Sequence, residues 1–380
     1  MPTGSDASDA SHTSDASVTS DVETEGMRRA LTLAGTPGVP LGPNPRVGCV
    51  LVDRAGAVIA EGYHRGAGTP HAEVDALAAA GDRARGATAV VTLEPCDHTG
   101  RTGPCTQALT RAGVQRVVYA MADPNPVASG GRTTLQAAGI EVSGGLLEQQ
   151  ARELNAAWLF GLTHGRPFVT WKLAASLDGR SAAADGTSRW ISGAASRRDA
   201  HRLRGRVDTI LVGTETAVVD DPALTVRDDT GRPLEHQPLR AVMGERELPA
   251  GLQLLQGAKP ALHLRTRDPG RALAELFDAG RRHVLLEGGP TLAAAFLRAG
   301  LVDEIVAYLA PVLLGAGRSA VADLGIGAIG NALRPEVLDA TVLAADPGEQ
   351  PDVRLIMRPA QPPTQPPTPR PEDPWRPSLR

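Results

Sequence analysis

Strands alternating with helices along most of the 380 residues predict an α/β fold. The length suits about two domains, and a 42% hydrophobic share is enough to give each a core. No internal repeat relates the halves. The expectation is therefore two different α/β domains in sequence.

Residues 1–26 are Ser-, Asp- and Thr-rich with almost no large apolar side chains, and are expected to be disordered. Amphipathic patterning begins at Met27. Gly42-Pro43-Asn44-Pro45-Arg46 reads as a loop, and Val47–Val52 with Ala57–Gly62 as a hairpin closed at Asp53–Gly56. His71 opens a helix over Ala72–Ala80, and Ala87–Leu93 is a strand leading to Glu94-Pro95-Cys96. A helix from Cys105 to Ala112, a strand over Val114–Met121 and a helix–strand step over Thr133–Val142 complete a first domain, placed at 27–148. One linker helix near Leu146–Leu162 (domain assignment 149–166) leads to a second domain at 167–358. Its strands are expected at Phe168–Leu173, Thr209–Gly213, Leu239–Met243, Ala261–Leu264, His283–Glu287, Glu304–Leu309 and Val353–Met357. The Pro-rich stretch 359–380 is expected to be disordered.

Composition narrows the function classes. Aromatics are 3%, net charge is −4 and pI is near 6.2, so neither a base-stacking platform nor a basic field offers itself to a nucleic acid. No apolar run reaches membrane-spanning length, and the N-terminus lacks the basic-then-apolar pattern of a signal peptide. A cytoplasmic enzyme with no membrane or nucleic-acid partner, assembled as a homo-oligomer, is the expectation. Cationic chemistry falls almost wholly to arginine; the lysines are Lys172 and Lys259. The cysteines Cys49, Cys96 and Cys105 make no disulfide framework.

His71-Ala72-Glu73, Pro95-Cys96 and Cys105 suggest a different use for thiols. One imidazole and two thiolates leave a fourth position open on zinc for water, and Glu73, two residues past His71, is the acid/base beside it. Zinc deaminases carry H-x-E and then P-C-x-x-C, and here the second half is stretched to eight residues between the cysteines. A closed structural zinc with His98 as fourth ligand is the alternative. Cys49, within a strand, reads as core.

In the second half, Lys172–Gly179, Ser188–Ser192, Thr214–Arg227 and Val284–Thr291 are polar clusters at strand ends. Glu287-Gly288-Gly289-Pro290 runs strand into glycine turn into helix, which suits a phosphate at free N–H groups, although it is no G-x-G-x-x-G fingerprint. Read blandly, Arg204 and Arg227 are solvated charges and Trp190 is core.

The run Pro95-Cys96-Asp97-His98-Thr99-Gly100-Arg101-Thr102-Gly103-Pro104-Cys105 resembles the bifunctional deaminase–reductase family of riboflavin biosynthesis. The motifs Pro43–Cys49, His71–Val74 and Asp123-Pro124-Asn125-Pro126 agree, while Gly103 and Asp97 stand where that pattern usually has proline and serine. Lys-x-Ala-x-Ser-Leu-Asp-Gly, Trp-Ile-Ser, Asp-Asp-Pro-x-Leu-Thr-x-Arg, Glu-Gly-Gly-Pro-Thr-Leu and Pro311–Gly315 resemble the same family's reductase half. The resemblance implies a cytidine-deaminase-like three-layer α/β domain followed by a dihydrofolate-reductase-like α/β domain, with Zn2+ and NADPH as cofactors. It implies deamination of a phosphoribosyl-pyrimidine substrate and then reduction of its ribosyl unit. On that resemblance Asn44, His98 and Arg101 line the first substrate, and Ala174, Trp190, Thr216, Asp220, Gly289, Pro290, Thr291, Leu292, Ala293, Ala294 and Ala295 hold NADPH. Ser188, Arg204, Leu224, Arg227 and Glu287 hold the second substrate, and Lys172 is placed to stabilise charge or supply a proton during reduction. Two rival readings are a deaminase for another base and a non-catalytic zinc-stabilised binding protein.

Overall fold

The computed structural model describes residues 12–37, 39, 42–99, 103–235, 237–256 and 259–359, with side chains described from Asp21 onward. Arg101 and the tail 360–380 lie outside the described residues.

The first sheet grows around a hydrophobic hairpin. Helix α1 (His12–Ala34) precedes strands β1 (Gly48–Val52) and β2 (Val58–Tyr63), which pair antiparallel. The Asp53 carboxylate accepts the N–H groups of Ala55 and Ala57 (both 2.9 Å), closing the expected turn. Helix α2 (Ala72–Ala80), β3 (Thr88–Leu93), α3 (Cys105–Ala112), β4 (Arg116–Met121), α4 (Gly131–Ala137) and β5 (Glu141–Gly144) follow. The strand order is β2-β1-β3-β4-β5, with β3, β4 and β5 parallel. Every residue of β1 is buried because helices cover both faces. The chain continues through α5 (Glu148–Leu154) and α6 (Ala156–His164), and α5 packs with α1 as α2 does with α3, giving three layers.

Two expectations need correction. Residues 12–26 are helical rather than disordered: Val22 packs against the core, and Glu23 accepts from Arg116 Nε at 2.6 Å. A helical stretch dominated by Ser, Asp and Thr would not form alone, but tertiary contacts at its far end hold it. The expected single linker helix is two, broken at Asn155, whose side-chain amide bonds the backbone of Arg46 instead of facing solvent.

The second sheet comprises β6 (Phe168–Ser176), β8 (Thr209–Gly213), β9 (Leu239–Met243), β10 (Leu262–Leu264), β11 (His283–Leu286), β12 (Glu304–Ala310), β14 (Glu336–Val342) and β15 (Val353–Arg358). Its order is β10-β9-β8-β11-β6-β12-β15-β14, parallel from β10 to β12 and antiparallel beyond. Two short strands, β7 (Arg180–Ala182) and β13 (Arg318–Ser319), pair separately. Leu211, Val284 and Leu286 face α9 (Pro269–Asp278) and α10 (Pro290–Arg298). Ile210, Val212 and Leu285, alternating with them, meet α7 (Ala194–Arg204) and α8 (Thr214–Val219). Strand β14 has no counterpart in the sequence reading. It is an edge strand whose apolar residues Val337, Leu338 and Val342 are exposed, so no burial alternation announces it. No helix among the described residues is long and apolar enough to cross a membrane.

The α1 contacts make a direct prediction. Deleting residues 12–26 should lower the unfolding temperature by about 2–4 °C, the scale expected when one partly buried ion pair and an apolar contact are lost. A thermal scan that does not move would mean the segment contributes no packing.

Candidate zinc and cofactor sites

Three elements deliver the metal donors. His71 is the residue before α2, Cys96 follows the end of β3, and Cys105 begins α3, where the helix dipole favours a thiolate. Close backbone contacts fix two of these positions. A Cβ on Gly62 would lie 2.4 Å from the Ala72 carbonyl oxygen, so α2 rests directly on β2. A Cβ on Gly131 would lie 1.8 Å from the Pro95 carbonyl oxygen, so the turn bearing Cys96 sits on the start of α4.

The result is a compact donor set. His71 Nδ1 is 3.2 Å from Cys105 Sγ and 3.5 Å from Cys96 Sγ, and the three ligand atoms lie within 4.8 Å of one another. Zinc bonds sulfur at about 2.3 Å and nitrogen at about 2.0–2.1 Å, so one ion spans donors this close. Among the described residues no fourth His, Cys, Asp or Glu joins the set, so the closed structural site with His98 finds no support. The Cys105 thiol, then the His71 ring, hold the Cys96 thiol below its usual value, while the same hydrogen bond and burial push Cys105 up, so the two close sulfurs share a proton that a cation would displace. Cys49 is wholly buried in β1 and its thiol is pushed well up by burial, as a core residue's would be.

Glu73 is 3% exposed on the first turn of α2, and burial pushes its carboxyl up to about 7. It lines a cavity of about 110 Å3 together with Asn44, Val47, His64, His71 and Cys96. His64, absent from the sequence reading, orders the wall of this cavity. Its Nδ1 lies 3.0 Å from the Pro70 carbonyl and therefore carries the proton, leaving Nε2 to accept from Asn44 Nδ2 at 2.9 Å. Burial holds the ring neutral. Asn44 thus keeps its amide oxygen for a ligand. The partners are twenty positions apart in sequence, with no periodicity linking them. His98 is half-buried outside the cavity lining, with its Nδ1 buried and unpartnered. Asp97 accepts from Thr106 (2.7 Å) and Thr134 (2.6 Å), which anchors the stretched loop.

The second site is organised around a buried ion pair. Arg204 Nε and Nη2 donate to Glu287 at 2.6 and 2.9 Å, and Nη1 donates to the Thr225 carbonyl at 3.2 Å. Neither a solvated charge nor a guanidinium free for phosphate describes Arg204: its donors are committed inside the protein. Burial pushes the Glu287 carboxyl up, but the Arg204 charge and hydrogen bonds outweigh it and hold it at about 2. Lys172 on β6 stands beside this pair. Burial lowers its pKa while the Glu287 charge works against that, and its Nζ is 5.9 Å from the Tyr308 ring.

The remaining sequence-predicted residues distribute around these groups. Ala174 lies opposite Tyr308 in the β6–β12 register. Thr216 on α8 faces Gly289, the residue before α10, and a Cβ there would stand 3.7 Å from its Oγ1. No side chain caps the α10 N–H groups of the Pro290–Ala295 stretch. Trp190 is exposed rather than core, with the Arg197 guanidinium 4.6 Å from its ring. Asp220 is exposed, and its carbonyl accepts from Arg189 at 3.2 Å. Leu224 is buried, whereas Ser188 and Arg227 are exposed, the latter bonding Thr225 Oγ1 (3.2 Å) and the Gly231 carbonyl (3.0 Å). Asp178, noticed only as part of a motif, joins two of the motifs: it accepts from Ser176 (2.6 Å) and from the N–H groups of Leu314 (3.2 Å) and Gly315 (2.7 Å).

Because the Glu287 pKa is depressed in the fold, its stabilisation is complete above the ordinary value of 4.5 and is lost as pH falls toward about 2. Glu287→Gln should remove that acid-side loss and leave Arg204 buried without its counter-charge, costing about 3–5 kcal/mol at neutral pH. Urea unfolding from pH 2 to pH 7 checks both, and equal stability of the two proteins at pH 7 would contradict the pairing.

Two family models match the chain, the cytidine and deoxycytidylate deaminase zinc-binding region over residues 21–121 and the RibD C-terminal domain over residues 167–346. Riboflavin biosynthesis protein RibD of Mycobacterium tuberculosis (strain ATCC 25618 / H37Rv) is 52% identical over 293 residues, 77% of this chain and 86% of that protein. RibD of Acinetobacter baumannii superposes with a TM-score of 0.78 at 38% identity, covering 90% of this chain and 100% of that one. The Thermotoga maritima diaminohydroxyphosphoribosylaminopyrimidine deaminase/5-amino-6-(5-phosphoribosylamino)uracil reductase does so with a TM-score of 0.77 at 30% identity, covering 90% and 100%. With a zinc-binding deaminase half and a reductase half in one chain, it belongs to the RibD family of bifunctional riboflavin-biosynthesis enzymes.

Proposed function

We propose that the chain removes the 2-amino group of 2,5-diamino-6-(5-phosphoribosylamino)pyrimidin-4(3H)-one and then reduces the ribosyl unit of the product with NADPH, giving 5-amino-6-(5-phosphoribitylamino)uracil. The observation that carries the reading is the convergence of His71, Cys96 and Cys105 beside a buried Glu73 in a cavity walled by Asn44 and His64.

Zinc held by His71, Cys96 and Cys105 supplies the Lewis acidity that makes water nucleophilic near neutral pH. Burial raises the pKa of the Glu73 carboxyl above its ordinary value, which suits it to exchanging protons. It takes a proton from water as the C–O bond forms, protonates the ring nitrogen, and passes a proton to the amine as the C–N bond breaks and ammonia leaves. Asn44, oriented by His64, positions the pyrimidine; His98 and Arg101 complete that subsite.

NADPH, when bound, would supply hydride to C1 of the ring-opened ribose. Thr216, Gly289–Ala295 at the uncapped start of α10, Ala174, Trp190 and Asp220 hold the cofactor. Ser188, Leu224 and Arg227 hold the sugar phosphate, and Arg204 orients Glu287 toward its hydroxyls. Lys172 delivers the proton that balances hydride addition. Its lowered pKa favours that role, since a desolvated ammonium gives up its proton more readily.

The deaminase domain is placed at 27–148, extended upstream by α1, the linker at 149–166 and the reductase at 167–358. A cytoplasmic homo-oligomer is part of the reading, and the exposed apolar residues along edge strand β14 support self-association.

Glu73→Gln should cut ammonia release by at least about 100-fold while leaving NADPH oxidation unchanged when the deaminated intermediate is supplied. Lys172→Met should do the reverse, lowering NADPH oxidation by about 100-fold with ammonia release intact. Loss of both activities in either variant would contradict two separate sites.

A further inference from the structure

The segment that brings Asn44 to the zinc pocket rests on the other half of the chain. A Cβ on Gly42 would lie 1.7 Å from the Gly280 carbonyl oxygen, so this backbone lies against the turn between α9 and β11. Pro37 packs on Gly205, the residue that ends α7.

Arg46, four residues past Gly42, is tied to the linker. Its N–H donates to Asn155 Oδ1 at 2.8 Å and its carbonyl accepts from Asn155 Nδ2 at 3.0 Å. Asn155 is 1% exposed at the break between α5 and α6, and it also donates to the Ala151 carbonyl at 3.3 Å. The Arg46 side chain is buried, with Nε and Nη2 lacking hydrogen-bond partners. The opposing charge comes from Asp208, a reductase residue already accepting from the N–H groups of Arg282 (2.6 Å) and His283 (3.2 Å). A buried and incompletely paired cation costs stability, so its presence calls for a return in geometry. Two residues earlier, Asn44 enters the cavity beside His64.

We propose that Asn155 and Arg46 are positioning residues for deamination, through which the linker and the reductase half set the place of Asn44 in the zinc pocket. The proposal rests on the deaminase reading, with Asn44 as a substrate contact. The reductase half then backs the segment from which Asn44 and Pro45 line the deaminase cavity, as well as being an enzyme in its own right. Misplacing Asn44 weakens substrate binding more than it slows the chemistry, because Glu73 on α2 and the metal donors at the ends of α2, β3 and α3 receive no hydrogen bond from Asn155.

The test uses the full-length, zinc-loaded protein and two separate assays. Ammonia release is measured from the diaminopyrimidine phosphate, and NADPH oxidation is measured with the deaminated intermediate supplied directly. Asn155→Ala should raise the KM for deamination about tenfold, change its kcat less than about threefold, and leave zinc content and reductase kinetics unchanged. Arg46→Met keeps the backbone bonds to Asn155 and removes the charge; it should move KM the same way by a smaller factor, and it decides the matter if Asn155→Ala does not fold. Equal loss of both activities together with zinc, or an unchanged deamination KM, would overturn the proposal. Failure of the unsubstituted protein to release ammonia would instead remove the deaminase reading itself.

Discussion

Everything in the first half depends on three donor atoms from three separate elements meeting within one ion's reach. His71, Cys96 and Cys105 belong to the start of one helix, the end of a strand and the start of another helix. Their meeting requires β3 in register between β1 and β4, α2 seated on β2 at Gly62, and the Pro95 turn seated on Gly131. A thiolate pair and an imidazole crowded this closely repel or share protons until a cation arrives, so zinc is both the reactive centre and the group that satisfies the site.

The two halves handle buried charge in opposite ways. Glu73 is buried without a hydrogen-bonded cation, which lifts its pKa toward neutrality and suits it to exchanging protons. Glu287 is buried with a bidentate arginine, which holds it ionised and makes it a fixed acceptor and a fixed field beside Lys172. One carboxylate is tuned to change state and the other to keep it.

How much of this was legible in the sequence follows from how local each signal is. His71, Glu73, Cys96 and Cys105 sit at element ends marked by proline, glycine and apolar runs, so both the donor set and its neighbouring carboxylate could be read directly. Arg204 could be named from the family resemblance, but its commitment to Glu287 could not, because the residues lie 83 positions apart in the chain. The same holds for His64 on Asn44. Helix α1 was hidden by its Ser/Asp composition, although Val22 and Glu23 find partners across the fold. The break at Asn155 was hidden because asparagine is tolerated in helices, and only its bonds to Arg46 reveal why the helix stops.

Two sites in one chain, only one of them built from metal donors among the described residues, should respond differently to loss of metal. The most direct measurement is to strip the protein with a zinc chelator and follow ammonia release and NADPH oxidation on their respective substrates. Ammonia release should vanish and return on adding Zn2+, while NADPH oxidation with the deaminated intermediate proceeds throughout. Ammonia release that survives complete removal of zinc, or NADPH oxidation lost with it, would contradict the account.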